Sequence, residues 1–278
     1  MSMLLGVTIF FEQPQEVEAV APAVQQFPFL KYVEFRGEIP FFYPGYFTRR
    51  DARYFRQLLQ RLGLQATVHT TMYDINLATL NPYLQRANIR CYKKFIDMAA
   101  SVGAKILVVH DGHLPLEYAQ HPKKDHYLEK ARQALGETLI ALGDYGERQG
   151  IQIALENAPP ANYHASLIWN ADNHRNFLEA LAHPAVGALV DIAHAALHGL
   201  DVAAYLQAIQ PYLVEIHAHN NHGEHDDHLG LHEGVIDYRS LLPLAPFHQV
   251  PVIMEIKSYA DIVATLKWLQ QEGLVNES

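Results

Sequence analysis

Between His217 and His232 the chain reads HAHNNHGEHDDHLGLH, placing six of its seventeen histidines in sixteen residues beside Asp226, Asp227, Glu224 and Glu233. Neutral imidazole and carboxylate are together the ligand set of zinc, manganese and related divalent ions, and packing requires no such density of imidazole in one loop. A solvated polar loop or an adventitious histidine-rich tract is the alternative. Within the segment Asp226 and His228 form a D-x-H pair whose side chains can point the same way from extended chain, with Asp227 turned to solvent. Upstream, VDIAHAALHGLD sets Asp191 and His194 three residues apart as a strand turns into its loop. Taken alone, D-x-x-H suits a cap or a surface role as well as a shared centre.

Such residues need elements to bring them together. Eight short β-like runs recur: Leu4 to Phe10, Tyr32 to Phe35, Gln65 to His69, Lys105 to His110, Ile151 to Glu156, Val186 to Asp191, Val214 to His217 and Val252 to Ile256. Helical periodicity lies between them, clearest over Asp51 to Leu62, Asn88 to Val102, Asp125 to Gln149, Asn173 to Leu181 and Asp201 to Ile209. No linker divides the series, which predicts an α/β protein forming a single (β/α)8 TIM barrel over residues 1–278. In a barrel the functional groups sit at the carboxyl ends of the strands. His69, His110, Glu156, Asp191, His217 and Glu255 lie at six consecutive strand ends. An open doubly wound sheet also places polar residues there, but it does not bring the third strand near the eighth. In IQIALE, Gln152, Ala154 and Glu156 share the face opposite Ile151, Ile153 and Leu155, so Glu156 points to the axis if the apolar face meets the helices. A carboxylate there is costly unless it is paired or metal-bound.

The composition narrows the classes further. With 49% hydrophobic and 18% charged residues the chain is a globular type, and no apolar run approaches the roughly twenty residues that span a bilayer. The opening MSMLLGVTIFFEQPQ lacks a basic start and a small-residue cleavage site, reads as a first strand, and predicts a cytoplasmic protein. Cys91 is the only cysteine, which excludes an internal disulfide framework and a thiolate cage. A formal charge of -9 without a lysine/arginine run gives no general attraction to nucleic acid, although bound divalent ions would offset part of it.

Taken as a set, VHTTMYDINL around His69, VVHDGH around His110, ALEN at Glu156, DIAHA at Asp191 and His194, HAHNNHGEHDDHLGLHEG from His217 and IMEI at Glu255 resemble the xylose isomerase-like TIM barrel superfamily. This superfamily includes sugar phosphate isomerases/epimerases and endonuclease IV enzymes, and the resemblance covers nearly the whole chain. The isomerase/epimerase branch implies that Glu156, Asp191, His217 and Glu255 hold one divalent ion, usually manganese, magnesium, cobalt or zinc. It also implies that Glu156 and Glu255 serve as acid and base and that His194 orients sugar oxygens. The chemistry is coherent: a metal polarises a carbonyl and the adjacent hydroxyl, lowering the cost of an enediolate, while one carboxylate removes a proton and the other returns it. The endonuclease IV branch implies nine ligands for three zinc ions and cleavage of abasic DNA. All nine have counterparts in His69, His110, Glu156, Asp191, His194, His217, Asp226, His228 and Glu255, and three clustered cations suit phosphoryl transfer.

Other features pull toward the sugar branch. GVTIFFEQ lacks the G-x-H-x-S and glycine pair of DNA-cleaving members, and HDGH stands where they usually show HPGS. In RGEIPFFYPGYF, Phe41, Phe42, Tyr43, Tyr46 and Phe47 could roof a small-molecule pocket or pack as a lid without touching a ligand. Backbone binding to a duplex normally needs more lysine and arginine than these loops supply. Arg36 and Lys257, just past strands two and eight, are candidates for binding a substrate phosphate or carboxylate, although rim charges usually pair with neighbouring acids. His113, His219, His222, His225 and His232 support the site or are exposed, and Trp169 and Trp268 are structural. The expectation is therefore a metal-dependent isomerase or epimerase of a sugar or sugar phosphate, using one to three ions, with oligomerisation left open. A trinuclear zinc phosphodiesterase acting on abasic DNA is the alternative, and a metal-binding module without turnover the third reading.

Overall fold

The strands are β1 Leu4–Ile9, β2 Leu30–Gly37, β3 Gln65–Thr70, β4 Ile106–His110, β5 His113–Pro115, β6 Gln152–Glu156, β7 His164–Ser166, β8 Val186–Asp191, β9 Leu213–Ala218 and β10 Pro251–Met254. Eight of them close into a parallel barrel in the order β1-β10-β9-β8-β6-β4-β3-β2, while β5 and β7 pair antiparallel outside it. The structure is a computed structural model that describes residues 3–9, 18, 20–161 and 164–275. Phe10, the expected end of the first strand, and the residues that follow it in FFEQ lie outside the described residues. All eight expected barrel strands are present. The last one ends at Met254, so Glu255 is the first residue beyond it, though its N–H still bonds the Ala218 carbonyl at 3.2 Å.

The helices are α1 Val20–Gln26, α2 Arg49–Leu62, α3 Pro82–Val102, α4 Leu116–Ala119, α5 Lys124–Gln149, α6 Ala171–Leu181, α7 Ile192–Leu197, α8 Val202–Ile209, α9 Tyr238–Leu241 and α10 Tyr259–Gln271. Their ends follow local chemistry. Thr48 and Asp51 form a reciprocal capping box on α2, and Gly63 ends that helix in the left-handed region. Helix α3 begins at Pro82, earlier than the expected Asn88, because Asn81 accepts from the N–H groups of Tyr83 and Leu84 and Pro82 is preset for the first turn. Among the described residues no helix is long and apolar enough to cross a membrane.

Alternation along the strands divides labour between the two faces of the sheet. Val33, Phe35, Val68, Leu107, Val109, Ile153, Leu155, Val190 and Ile216 pack outward in the main core. Each such side chain contributes about 1.5–3 kcal/mol on burial, so the outer layer stabilises the barrel while the inner face carries polar groups. Ile106, Val108, Ala154, Leu189 and Val214 form a small separate apolar cluster. The strand register then levels the polar side chains: Arg36 pairs with His69, His110 with Glu156, and Asp191 with His217.

The β5–β7 ribbon was not expected from sequence. It ties the loop after β4 to the loop after β6, and Asp111 reinforces the tie by accepting from the N–H groups of Leu167 and Ile168 at 2.5 and 2.7 Å. At Gly112, φ is 76°, and a Cβ would lie 2.5 Å from Asn76 Oδ1 and 2.6 Å from the Ala78 nitrogen. Only glycine lets the loop after β4 press that closely on the loop after β3.

Candidate metal centre at the barrel rim

The ends of β3, β4 and β6 converge first. His69 Nε2 lies 3.3 Å from Glu156 Oε2, His110 Nε2 lies 3.4 Å from the same oxygen, and the two ring nitrogens are 3.2 Å apart. Donor atoms around one tetrahedral ion with bonds near 2.0–2.1 Å are separated by about 3.3 Å. The three atoms already have that spacing. Burial pushes His110 down to about 4, outweighing the pull of Glu156, so its ring is neutral as a ligand must be.

Glu156 turns its other oxygen to a second group. Its Oε1 is 3.6 Å from His217 Nδ1, which is 3.5 Å from Glu255 Oε2, and Asp191 completes a buried set of four potential ligands. Glu156 Oε1 and His217 Nδ1 are both buried without a hydrogen-bond partner. Unsatisfied buried polar atoms each cost about 1–3 kcal/mol, and a cation between them satisfies both at once. Burial alone would push Glu156 up, but His110, His217 and His69 hold it well below the usual carboxylate range. Burial likewise opposes the charge of Glu255, and His217 and Arg36 hold it low.

The third group combines Asp226 and His228, on the loop after β9, with His194 on α7. Asp226 Oδ2 lies 3.4 Å from His194 Nε2 and 3.3 Å from His228 Nε2. Asn220 shapes this loop: its Nδ2 donates to the Leu231 and Ile236 carbonyls, and its Oδ1 accepts from the Ile236 and Asn221 N–H groups. His228 takes φ 57°, a strained conformation outside glycine that the surrounding contacts impose. Both rings are oriented from behind. His194 Nδ1–H donates to the Asn157 carbonyl at 2.8 Å and His228 Nδ1–H to the Glu255 carbonyl at 2.7 Å, which aims each Nε2 at Asp226. Although burial disfavours their charged forms, Asp191 and Asp226 raise His194, and Asp226 and Glu255 raise His228. The same histidines lower Asp226 against its own burial.

Asp191 is held on several sides. Its Oδ1 accepts from the His194 N–H at 2.8 Å as the cap of α7, and Asn157 Oδ1 accepts from the Asp191 N–H at 2.7 Å. The capping reading of D-x-x-H thus describes this pair, and with His219 the two side chains form a buried group that could hold an ion.

All nine residues expected at the centre meet at the rim. Around them opens a cleft of about 530 Å³, lined also by Arg36, Met72, Tyr73, Pro159, Pro160 and Leu197. Arg36 Nη1 donates to Glu255 Oε1 at 2.9 Å, and the guanidinium also bonds Glu38, so acid pairing describes this side chain. Lys257 is exposed and is not among the cleft residues. The aromatic loop is a packed lid: Phe41, Phe42 and Phe47 stack among themselves and on Phe35 and Phe55, Tyr43 packs on Phe95, and Tyr46 is exposed. None of the five lines the cleft.

Some site residues were missed or left open by sequence reasoning. His219 is fully buried, 3.1 Å from Asp191 Oδ2 and 3.6 Å from Asp226 Oδ1, and its ring stacks on His228 at 4.0 Å. It joins the second and third groups. Glu34 and Glu215 lie below the rim, each 3.2 Å from His217 Nε2. Burial, with Glu34 alongside, pushes Glu215 up to about 8. Asp227 accepts from the His222 N–H and stands apart from the clusters, while His225 reaches the cleft.

A closed barrel whose rim gathers histidines and carboxylates defines a class, and the comparisons give the family within it. The family described as xylose isomerase-like TIM barrel matches residues 30–272, and the chain belongs to it. It is 26% identical over 199 residues to the uncharacterized protein MJ1311 of Methanocaldococcus jannaschii, a match covering 71% of this chain but only 65% of that protein, under two thirds of its length. It is also 26% identical over 220 residues to "Probable endonuclease 4" of Solibacter usitatus, covering 70% of this chain and 71% of that protein. In solved structures its fold is similar to a D-tagatose 3-epimerase-like protein, with TM-score 0.81, 22% identity and coverage of 98% and 97%. It is also similar to the D-allulose 3-epimerase of Methylomonas sp. in complex with D-allulose, with TM-score 0.76, 16% identity and coverage of 98% of each chain.

Proposed function

We infer that this protein is a divalent-metal-dependent isomerase or epimerase of a small sugar or sugar derivative. The observation that carries the reading is the pair Glu156 and Glu255, two buried carboxylates that face one four-residue centre and line the same cleft. Glu156, Asp191, His217 and Glu255 would hold the ion, and the unpartnered Glu156 Oε1 and His217 Nδ1 fit such a group. When bound there, a divalent ion supplies Lewis-acid polarisation of a substrate carbonyl and its neighbouring hydroxyl. The side chains supply the rest. Their neighbours keep both glutamates ionised, the state a proton acceptor needs, so one can take the proton from the carbon next to the carbonyl and, as the carboxylic acid so formed, return it; return to the opposite face falls to the other glutamate once it has gained a proton from a substrate hydroxyl or solvent in the cleft. His194, fixed through its Nδ1–H, is placed to orient substrate oxygens, and the prolines and Met72 narrow the cleft against water. Fold similarity to a D-tagatose 3-epimerase-like protein and a D-allulose 3-epimerase supports the reading.

A second reading is phosphodiester hydrolysis. Gathering of nine ligands into three adjoining groups favours it, as does the similarity to "Probable endonuclease 4". The two separate in one assay: the manganese- or zinc-loaded protein is incubated in D2O with a panel of ketoses, and in parallel with an abasic duplex. Deuterium incorporation at carbon with appearance of a second sugar supports isomerisation. Nicking of the duplex without deuterium incorporation overturns it.

A further inference from the structure

Beneath the rim, Glu34 on β2 and Glu215 on β9 are fully buried in the barrel. They meet at one atom. Glu34 Oε2 and Glu215 Oε1 each lie 3.2 Å from Nε2 of His217, whose other ring nitrogen faces Glu156 and Glu255. Glu34 is itself fixed, accepting from the Thr8 hydroxyl at 2.7 Å and the Thr67 hydroxyl at 3.5 Å. The backbone makes this possible, because β1 and β2 pair Thr8 with Glu34 and β2 and β3 pair Glu34 with Thr67. All three partners therefore reach the axis at one level.

We propose that Glu34 and Glu215 are positioning residues that fix the proton of His217 on Nε2 and thereby present its Nδ1 lone pair to the metal centre above. An imidazole can bind an ion through either nitrogen, and the hydrogen bond made by the other nitrogen decides which. Below His217, Glu34 already accepts from two threonine hydroxyls and offers a further oxygen lone pair to Nε2–H, which leaves Nδ1 for the rim. Glu215, whose Oε1 lies at the same 3.2 Å from Nε2, also pins the ring plane, which a single carboxyl leaves freer. Other rim histidines are held differently: His194 and His228 donate through Nδ1 to backbone carbonyls and present Nε2. His217 thus has the inverse tautomer, set by side chains alone.

The inference rests on the reading of His217 as a ligand, and the experiment keeps the two apart. Long-range proton–nitrogen NMR of the histidine-labelled full chain, metal-free and zinc-loaded, reports which ring nitrogen of His217 carries a proton. A protected, downfield Nε2–H in both states is expected. Calorimetric titration with Mn2+ alone then compares wild type with Glu34→Gln, Glu215→Gln and the double variant, which preserve volume but introduce an amide able to donate. The double variant is expected to bind about 10- to 100-fold more weakly and to lose the protected Nε2–H signal. A wild-type His217 without a proton on Nε2, or a folded double variant of unchanged affinity, overturns the proposal. Should the variants fail to fold, the wild-type spectrum decides alone. A wild type that takes up no metal refutes the function proposed above, while the Nε2–H signal still tests the tautomer.

Discussion

Two groups at the same rim balance their donor atoms in opposite ways. His69, His110 and Glu156 come from strand ends, and the two imidazole nitrogens are aimed at one another across 3.2 Å. Protons satisfy this group poorly, since His110 is neutral down to about pH 4. His194, Asp226 and His228 depend on a loop, with the Asp226 side chain 32% exposed, and here two raised histidines face a lowered carboxylate. That group can satisfy itself with protons. A cation between His110 and Glu156 thus displaces no proton from His110, whereas the loop group takes one only by expelling protons. Glu156 joins the first group to the central one, with 1% exposure of its side chain.

The comparison can be broken most forcefully at the shared carboxylate. Glu156→Gln is expected to lower turnover by about 1,000-fold or more, within the span of general acid–base effects, and to reduce metal content at two groups at once. Steady-state kinetics and elemental analysis of the folded variant check both. If metal content falls at only one group, Glu156 does not bridge. Asp226→Asn is expected to release the equivalent of one ion per chain, with turnover falling about 10-fold or less, because the loop group holds neither proposed acid/base residue. A loss as deep as that of Glu156→Gln would move the chemistry to the loop.

A pH series sharpens the contrast. His194 and His228 are raised, so they hold protons near neutrality, and metal must displace those protons. Affinity of the loop group should therefore fall as pH drops from 8 to 6, while that of the His69–His110–Glu156 group, with His110 neutral down to about 4, changes less. Calorimetry in buffers of different ionisation enthalpy counts the protons released. Equal release at both groups would erase the distinction. The smallest effect is expected away from the metals: Asp111→Ala leaves the Leu167 and Ile168 N–H groups without their buried acceptor, lowering stability by roughly 2–4 kcal/mol in denaturant unfolding. Metal content should be nearly unchanged.

The barrel and the convergence of its polar rim residues were legible because one pattern repeats: an apolar run, then a titratable residue where it stops. His69, His110, Glu156, Asp191 and His217 obey that pattern, and register does the rest by setting neighbouring ends level. Glu34 and Glu215 were overlooked although their signal was present. In YVEFR and VEIH the period of two puts Glu34 in phase with Tyr32 and Arg36, and Glu215 in phase with His217, on the inward face. The β5–β7 ribbon had no such signal, since three-residue strands about fifty residues apart leave no periodicity to read. The aromatic loop could be read two ways because tightly packed rings and ligand-roofing rings have the same composition, and only contacts with Phe35, Phe55 and Phe95 separate them.

Anomalous diffraction from crystals of the zinc-loaded protein tests the central claim most directly. The account predicts a peak enclosed by Glu156, Asp191, His217 and Glu255, with a second between His69, His110 and Glu156. Zinc confined to surface histidines, with no density among those carboxylates and imidazoles, would contradict it.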